Sequence, residues 1–227
     1  MIDNHSTSAG MEAVAFDHWV HRLRFTCKVC HLDIGFAMEA NATGMTSADI
    51  RERRYCGTCH NGEARLGDQL VFSACASPRH DSDACSRCHN GGERAEARRS
   101  FEAISAVLPA ERFGNRIDWE KAEAQGLIQP SNFIKGLSPK RPERRVNDDF
   151  SLSTAEAGIP NITFSHRKHT VWNGCDVCHP DIFIGGKKGS TQYSMQEMFA
   201  GQYCGVCHDT VAFPQKDCQR CHTEPVY

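Results

Sequence analysis

Phe164 to His179 reads FSHRKHTVWNGCDVCH and holds His166, His169, Cys175, Cys178 and His179. The pattern stands a second time near the other end of the chain, FDHWVHRLRFTCKVCH, from Phe16 to His31. In each stretch two cysteines separated by two residues run straight into a histidine. Two further histidines, three residues apart, stand upstream behind a phenylalanine.

Outward from these stretches, Cys-x-x-Cys-His recurs six times. The residues are Cys27, Cys30 and His31; Cys56, Cys59 and His60; Cys85, Cys88 and His89; Cys175, Cys178 and His179; Cys204, Cys207 and His208; Cys218, Cys221 and His222. This is the attachment pattern of a c-type haem. Two intervening residues let both sulfurs reach the two vinyl groups of one porphyrin as thioethers. The next histidine then lies under the ring with its imidazole aimed at the iron. Paired CxxC motifs can also hold zinc, and a single one can be a redox dithiol. Neither requires a histidine behind every second cysteine, and a disulfide scaffold does not set its cysteines in uniform CxxC pairs. Six covalently bound haems c are expected, using twelve of the thirteen cysteines and leaving Cys75.

Composition agrees. Among 227 residues, aromatics are 8% and hydrophobics only 40% with the cysteines included. Apolar side chains are thin for a core of this length, so haem is expected to fill the interior. The formal charge of −2 gives no basic excess and no reason to expect a nucleic-acid partner. Haem propionates and ferric centres make the loaded protein more acidic. Arg51, Arg53 and Arg54 are candidates to neutralise propionates, or else form a solvated face. No apolar run approaches the ~20 residues of a membrane-spanning helix, and Met1 leads into a polar segment without a signal-peptide pattern.

A shift of 148 residues maps Phe16, His18 and His21 onto Phe164, His166 and His169. It also maps the first and second motifs onto the fourth and fifth. Only the third slips: Cys56 to Cys85 is 29 residues, Cys204 to Cys218 is 14. Two three-haem units are expected, residues 1–91 and 161–227, the first carrying about fifteen extra residues before Cys85. A haem-free connector, 92–160, joins them. Its ERAEARRSFEAISAVLP segment predicts a helix with Phe101, Ile104 and Leu108 on one face, stopped by Pro109. A second short helix is expected from an Asp118 N-cap to Gly126. LSPKRPERRVNDD reads as an extended surface stretch. The fold class is therefore mostly irregular with short α-helices around a haem-packed core.

With F-x-H-x-x-H followed by three CxxCH motifs, each half resembles a triheme domain of the class III multihaem cytochromes c. These are small electron carriers of anaerobically respiring bacteria. SMQEMFAGQYCGVCHDTVAFPQKDCQRCH extends the resemblance, which covers about two thirds of the chain and leaves out the connector. It implies distal iron ligands: His18 opposite His31, His21 opposite His60, His166 opposite His179 and His169 opposite His208. The histidine count is compatible, since the six attachment histidines leave only His5, His18, His21, His80, His166 and His169.

The third haem of each half departs from the simplest family pattern, because no histidine stands just before Cys56 or Cys204. The resemblance offers Met195 for the haem at His222, with Met198 as alternative or both as packing residues. For the haem at His89, His80 in the insertion is the choice, with His5 and Met45 behind it.

Iron held from both sides is suited to electron transfer rather than substrate binding. The expected function is electron conduction along six low-spin haems, in anaerobic or extracellular respiration. The protein is expected to act outside the cytoplasm, periplasmic or extracellular. Expected partners are a membrane quinol-oxidising complex, other multihaem cytochromes or a terminal reductase. One alternative is a multihaem reductase with an open or Cys75-ligated haem. Another is a structural, self-assembling subunit of a respiratory complex or filament.

Overall fold

The computed structural model describes residues 1–75, 85–92, 95–141, 148–154, 158–185 and 187–223. The chain divides into two compact units. One comprises Met1–His21 and Cys30–Ile104; the other comprises Arg22–Val29 and Ser105–Tyr227.

Regular structure is sparse in both. Helices are short, the longest described being Ala95–Ser105 with 11 residues. The described strands form two two-stranded antiparallel ribbons, Arg65–Leu66 with Gln69–Leu70 and Phe150–Leu152 with Ile162–Phe164. Few apolar side chains are buried. Among the described residues they are Val29, Ile117, Trp119, Ala122, Ile128, Val177 and Met198. Four of these belong to the haem-free connector. Val29 and Val177 are the residues before the second cysteine in CKVCH and CDVCH, 148 positions apart. This is far too little core for the chain length, as expected where a prosthetic group supplies the apolar volume.

The duplication holds in three dimensions. In the first unit Ser47–Arg51 is a helix capped by Thr46, whose hydroxyl accepts from the Asp49 amide while the Asp49 carboxylate accepts from the Thr46 amide. In the second unit the helix is Met195–Phe199, with Ser194 and Glu197 in the same reciprocal box. Such a box satisfies two otherwise orphaned amides. Each helix leads into a short 3-10 turn, Tyr55–Thr58 or Tyr203–Val206, entered by a tyrosine at positive φ (49° and 51°). A Cβ on Gly57 would sit 1.9 Å from the Ile50 carbonyl oxygen, and one on Gly205 2.1 Å from that of Met198. Glycine after the first cysteine of CGTCH and CGVCH is therefore what lets each haem motif lie against its capped helix.

The first connector helix is shorter than expected: Ala95–Ser105 carries the half-buried Phe101 and Ile104 but ends before Leu108 and four residues short of Pro109. The second matches expectation. Trp119–Ala124 starts at Asp118, whose carboxylate accepts from the Lys121 amide at 3.0 Å, and closes with Gly126 at φ 69°. Residues 142–147, the middle of the expected extended stretch, lie outside the described residues, as do residues 93 and 94.

Candidate haem sites

All six motif histidines lie among the described residues, and all six are oriented in the same way. Nδ1 of His31 donates to the Phe36 carbonyl (2.9 Å) and that of His60 to Phe72 (3.3 Å). His179 donates to Phe183 (2.6 Å) and His208 to Phe213 (2.9 Å). In the third motifs His89 donates to Glu12 (2.8 Å) and His222 to Pro160 (2.6 Å). A carbonyl can only accept, so Nδ1 carries the proton and Nε2 keeps its lone pair. This is the orientation imposed on a histidine that ligates metal through Nε2.

These anchors repeat across the duplication. Glu12 and Pro160 are 148 residues apart. So are Val14 and Ile162, which form antiparallel bridges to His89 and His222. The third motif of each half is thus tied to the segment leading into F-x-H-x-x-H, despite its slip in sequence. It is tied to the second motif too. Arg87 stacks on the Phe72 ring at 4.9 Å, and Arg220 on Phe213 at 4.6 Å. Both arginines precede the second cysteine of a third motif, and both rings belong to the residue holding the second-motif histidine.

F-x-H-x-x-H acts as one packed unit. In the first unit the Phe16 ring meets His18 edge-on at 4.8 Å and stacks with His21 at 4.5 Å. In the second, Phe164 meets His166 edge-on at 4.9 Å and stacks with His169 at 4.4 Å. Ser165 caps the His166–Asn173 helix, and spacing of three puts both histidines on one side of it. Nδ1 of His21 donates to the Asp17 carbonyl at 3.2 Å, and that of His169 to Ser165 at 2.7 Å. As in the motif histidines, this leaves the lone pair on Nε2.

The decisive distance separates the rings. His21 and His60 have centroids 6.3 Å apart, and His169 and His208 6.4 Å apart. Two imidazoles on opposite sides of one metal, with bonds of about 2 Å and ring centres about 1.1 Å beyond each nitrogen, have centroids about 6.2 Å apart. Both pairs fit one iron between them. Burial lowers the pKa of all four rings, the largest cause in each case. It therefore holds the imidazoles in the neutral form that ligation needs.

The cysteines suit thioethers. Burial pushes the Cys56 and Cys204 thiols up to about 11 and Cys207 to about 12, because it penalises the thiolate. A thioether carries no such charge. Among the described residues no three His, Cys, Asp or Glu side chains converge on a metal-ion site.

The CxxCH regions match the family model for cytochrome c7 and related cytochromes c, over residues 14–98 and 162–223. The chain belongs to that family. It is a multihaem c-type cytochrome that carries covalent haem c and works in electron transfer. Two solved structures are similar. The C-terminal hexaheme fragment of GSU1996 is 25% identical, covering 94% of this chain and 92% of the fragment, with a TM-score of 0.29. The dodecaheme cytochrome c GSU1996 is 20% identical, covering 93% of this chain and 71% of that one, with a TM-score of 0.31. No curated protein sequence matches. No helix among the described residues is long and apolar enough to cross a membrane.

For the third distal ligands, His80 lies outside the described residues. Met195 is half-buried at the start of its capped helix, and Met198 is buried on the next turn. Met45 sets its sulfur 3.8 Å from Cys56 Sγ, and His5 is exposed in the N-terminal turn. Arg53 and Arg54 are satisfied by protein acids, Glu63 for the first and Asp49 with Glu52 for the second. The carbonyl anchors and the Arg–Phe stacks were not foreseen from sequence, although a phenylalanine four or five residues beyond three of the motif histidines was visible there.

Proposed function

We propose that the chain binds six haems c, one at each cysteine pair, and conducts electrons along them as a carrier. It is organised as triheme segments 1–91 and 161–227 around the connector 92–160. His31, His60, His89, His179, His208 and His222 are the proximal ligands. His18, His21, His166 and His169 are the distal ligands of the first two haems of each half. His80 completes the haem at His89, and Met195 the haem at His222. The observation that carries this reading is the one-iron spacing of His21 from His60 and of His169 from His208. With both axial positions filled, the bound group exchanges electrons without binding substrate.

A carrier is favoured over a reductase that would use Cys75 as an iron ligand. The cytochrome c7-like family to which the chain belongs is one of electron carriers. Haem attachment to CxxCH takes place outside the cytoplasm, so the working location is periplasmic or extracellular and the partners are other redox proteins. They include a membrane quinol-oxidising complex, other multihaem cytochromes or a terminal reductase.

Intact mass after acid denaturation should exceed the polypeptide by six haem masses. His21→Ala and His169→Ala should each convert one haem to high spin while all six remain attached. A wholly low-spin spectrum in both variants would overturn the ligand assignment.

A further inference from the structure

The helix that carries His169 and the segment that orients His208 are joined by two acids of the connector. Lys168, next to His169 in the His166–Asn173 helix, meets one carboxylate oxygen of Glu120 at 2.5 Å. The other oxygen of Glu120 lies 3.6 Å from Nη2 of Arg220, and Nη1 of the same arginine donates to Glu111 at 2.5 Å. Arg220 stacks on the Phe213 ring at 4.6 Å, and the Phe213 carbonyl fixes His208 at 2.9 Å. The contacts therefore run from beside one ring of the His169–His208 pair, through two carboxylates, to the carbonyl behind the other ring. Every one of these residues belongs to the unit made of Arg22–Val29 and Ser105–Tyr227.

The first unit has the equivalent pair, His21 with His60, without the acids. The 148-residue shift maps Lys168 onto Val20, an uncharged side chain that is 42% exposed. Arg87 stacks on Phe72, whose carbonyl fixes His60, but among the described residues it meets no carboxylate. Glu111 and Glu120 lie outside the duplicated segments, so the connector supplies the second unit with contacts that duplication alone does not.

We propose that Glu111 and Glu120 are positioning residues for the haem attached at Cys204 and Cys207, fixing the relative orientation of its two axial imidazoles. Groups behind the ligands of a metal set how the ligand rings are turned, and so tune the metal. Here the same two acids act behind both rings. Glu120 restrains the helix turn that carries His169, and both acids restrain Arg220 and through it Phe213, on which His208 depends. The four side chains are between 21% and 53% exposed, so their ion pairs add little to overall stability. Two acids against two bases leave the cluster without net charge, so its effect is on orientation rather than on the field at the iron.

The inference rests on His169 and His208 ligating one iron, as proposed above. The experiment is NMR of the oxidised holoprotein, in which the spread of the ring-methyl shifts of a low-spin haem reads the orientation of its axial imidazoles. Wild type is compared with Glu120→Ala, with Glu111→Ala and Glu120→Ala together, and with Glu111→Gln and Glu120→Gln together. The double Ala variant should change the spread at the Cys204 haem and leave that of the Cys56 haem in place. The double Gln variant keeps oxygens that accept from Lys168 and Arg220 but loses both charges, and should stay close to wild type. An unmoved spread in the double Ala variant, or an equal change at both haems, would overturn the proposal. So would a change in the double Gln variant as large as in the double Ala one, which would make the acids a source of charge and not of position. If the double Ala variant does not fold, the half-exposed Glu120→Ala decides alone: a smaller change confined to the Cys204 haem supports the role, and none refutes it. The ligand reading fails separately. A wholly low-spin His169→Ala refutes the pairing, whereas one high-spin haem in that variant, with unmoved methyl shifts in the glutamate variants, refutes only the role of the acids.

Discussion

Gly205→Ala tests whether the second haem motif is fitted against its capped helix. An added Cβ would stand 2.1 Å from the Met198 carbonyl oxygen and 3.0 Å from its carbonyl carbon. Ordinary contact needs more than about 3 Å, so the Met195–Phe199 helix and the Tyr203–Val206 turn must part by about 1 Å. Neither side can yield cheaply. The clashing atoms are backbone, and the helix is pinned by the Ser194–Glu197 box and by Gln215, whose amide donates to the same Met198 carbonyl at 2.7 Å. Overpacking of this kind costs about 3 kcal/mol, the upper part of the usual range. For a chain of this size that lowers Tm by about 6–12 °C. Gly185→Ala is the control, because its Cβ would meet His179 Nδ1 at 3.6 Å, an ordinary contact. Thermal unfolding of the holoprotein, followed by circular dichroism, compares the two. If Gly205→Ala melts with wild type, the close approach of helix and motif is not a feature of the folded protein.

Met195→Ala should abolish a weak far-red sulfur-to-iron charge-transfer band of the oxidised protein and lower the potential of the haem at His222, while Met198→Ala leaves the band in place. The reverse result transfers the ligand to Met198. Hydrogen bonds from Thr46 hold the Asp49 carboxyl below its usual value. Its contribution to stability is therefore complete above the unfolded carboxylate value and lost as pH falls through the lower folded one. Asp49→Asn should flatten that acid limb of a pH–stability profile, and an unchanged limb would show that the Thr46–Asp49 box does not contribute to it.

The chemistry was legible because covalent attachment imposes fixed spacing. Two sulfurs and one imidazole must reach one porphyrin, so all six sites stand as contiguous pentapeptides. F-x-H-x-x-H was legible through its duplication, and the shared packing of Phe16 and Phe164 on two histidines each supplies its physical reason. What orients the proximal rings was not legible. Their acceptors are backbone carbonyls, which any residue carries, so Glu12 and Pro160 perform the same task with unrelated side chains. Nor could the sequence bring Arg22 to Trp119 and Trp172. The three residues are separated by long stretches of chain and lie together only because Arg22–Val29 packs in the second unit, where the Thr26 amide donates to Ser131.

The fifteen extra residues before Cys85 show what the fold conserves. His60 and His208 both donate to a phenylalanine carbonyl, but Phe72 lies 12 residues beyond His60 and Phe213 only 5 beyond His208. Seven of the extra residues therefore fall before the anchor, where Arg65–Leu66 and Gln69–Leu70 fold back as a ribbon. The other eight fall between Phe72 and Cys85, the part that contains His80. Closing a longer connection between two fixed points becomes only slowly more costly with length. Phe72 itself cannot move, because its carbonyl orients His60 while its ring carries Arg87 of the third motif. The phenylalanine is thus the joint between second and third haem sites in both halves. Sequence can therefore differ in length on either side of that joint while the contacts of the phenylalanine with the second-motif histidine and the third-motif arginine stay the same in both halves.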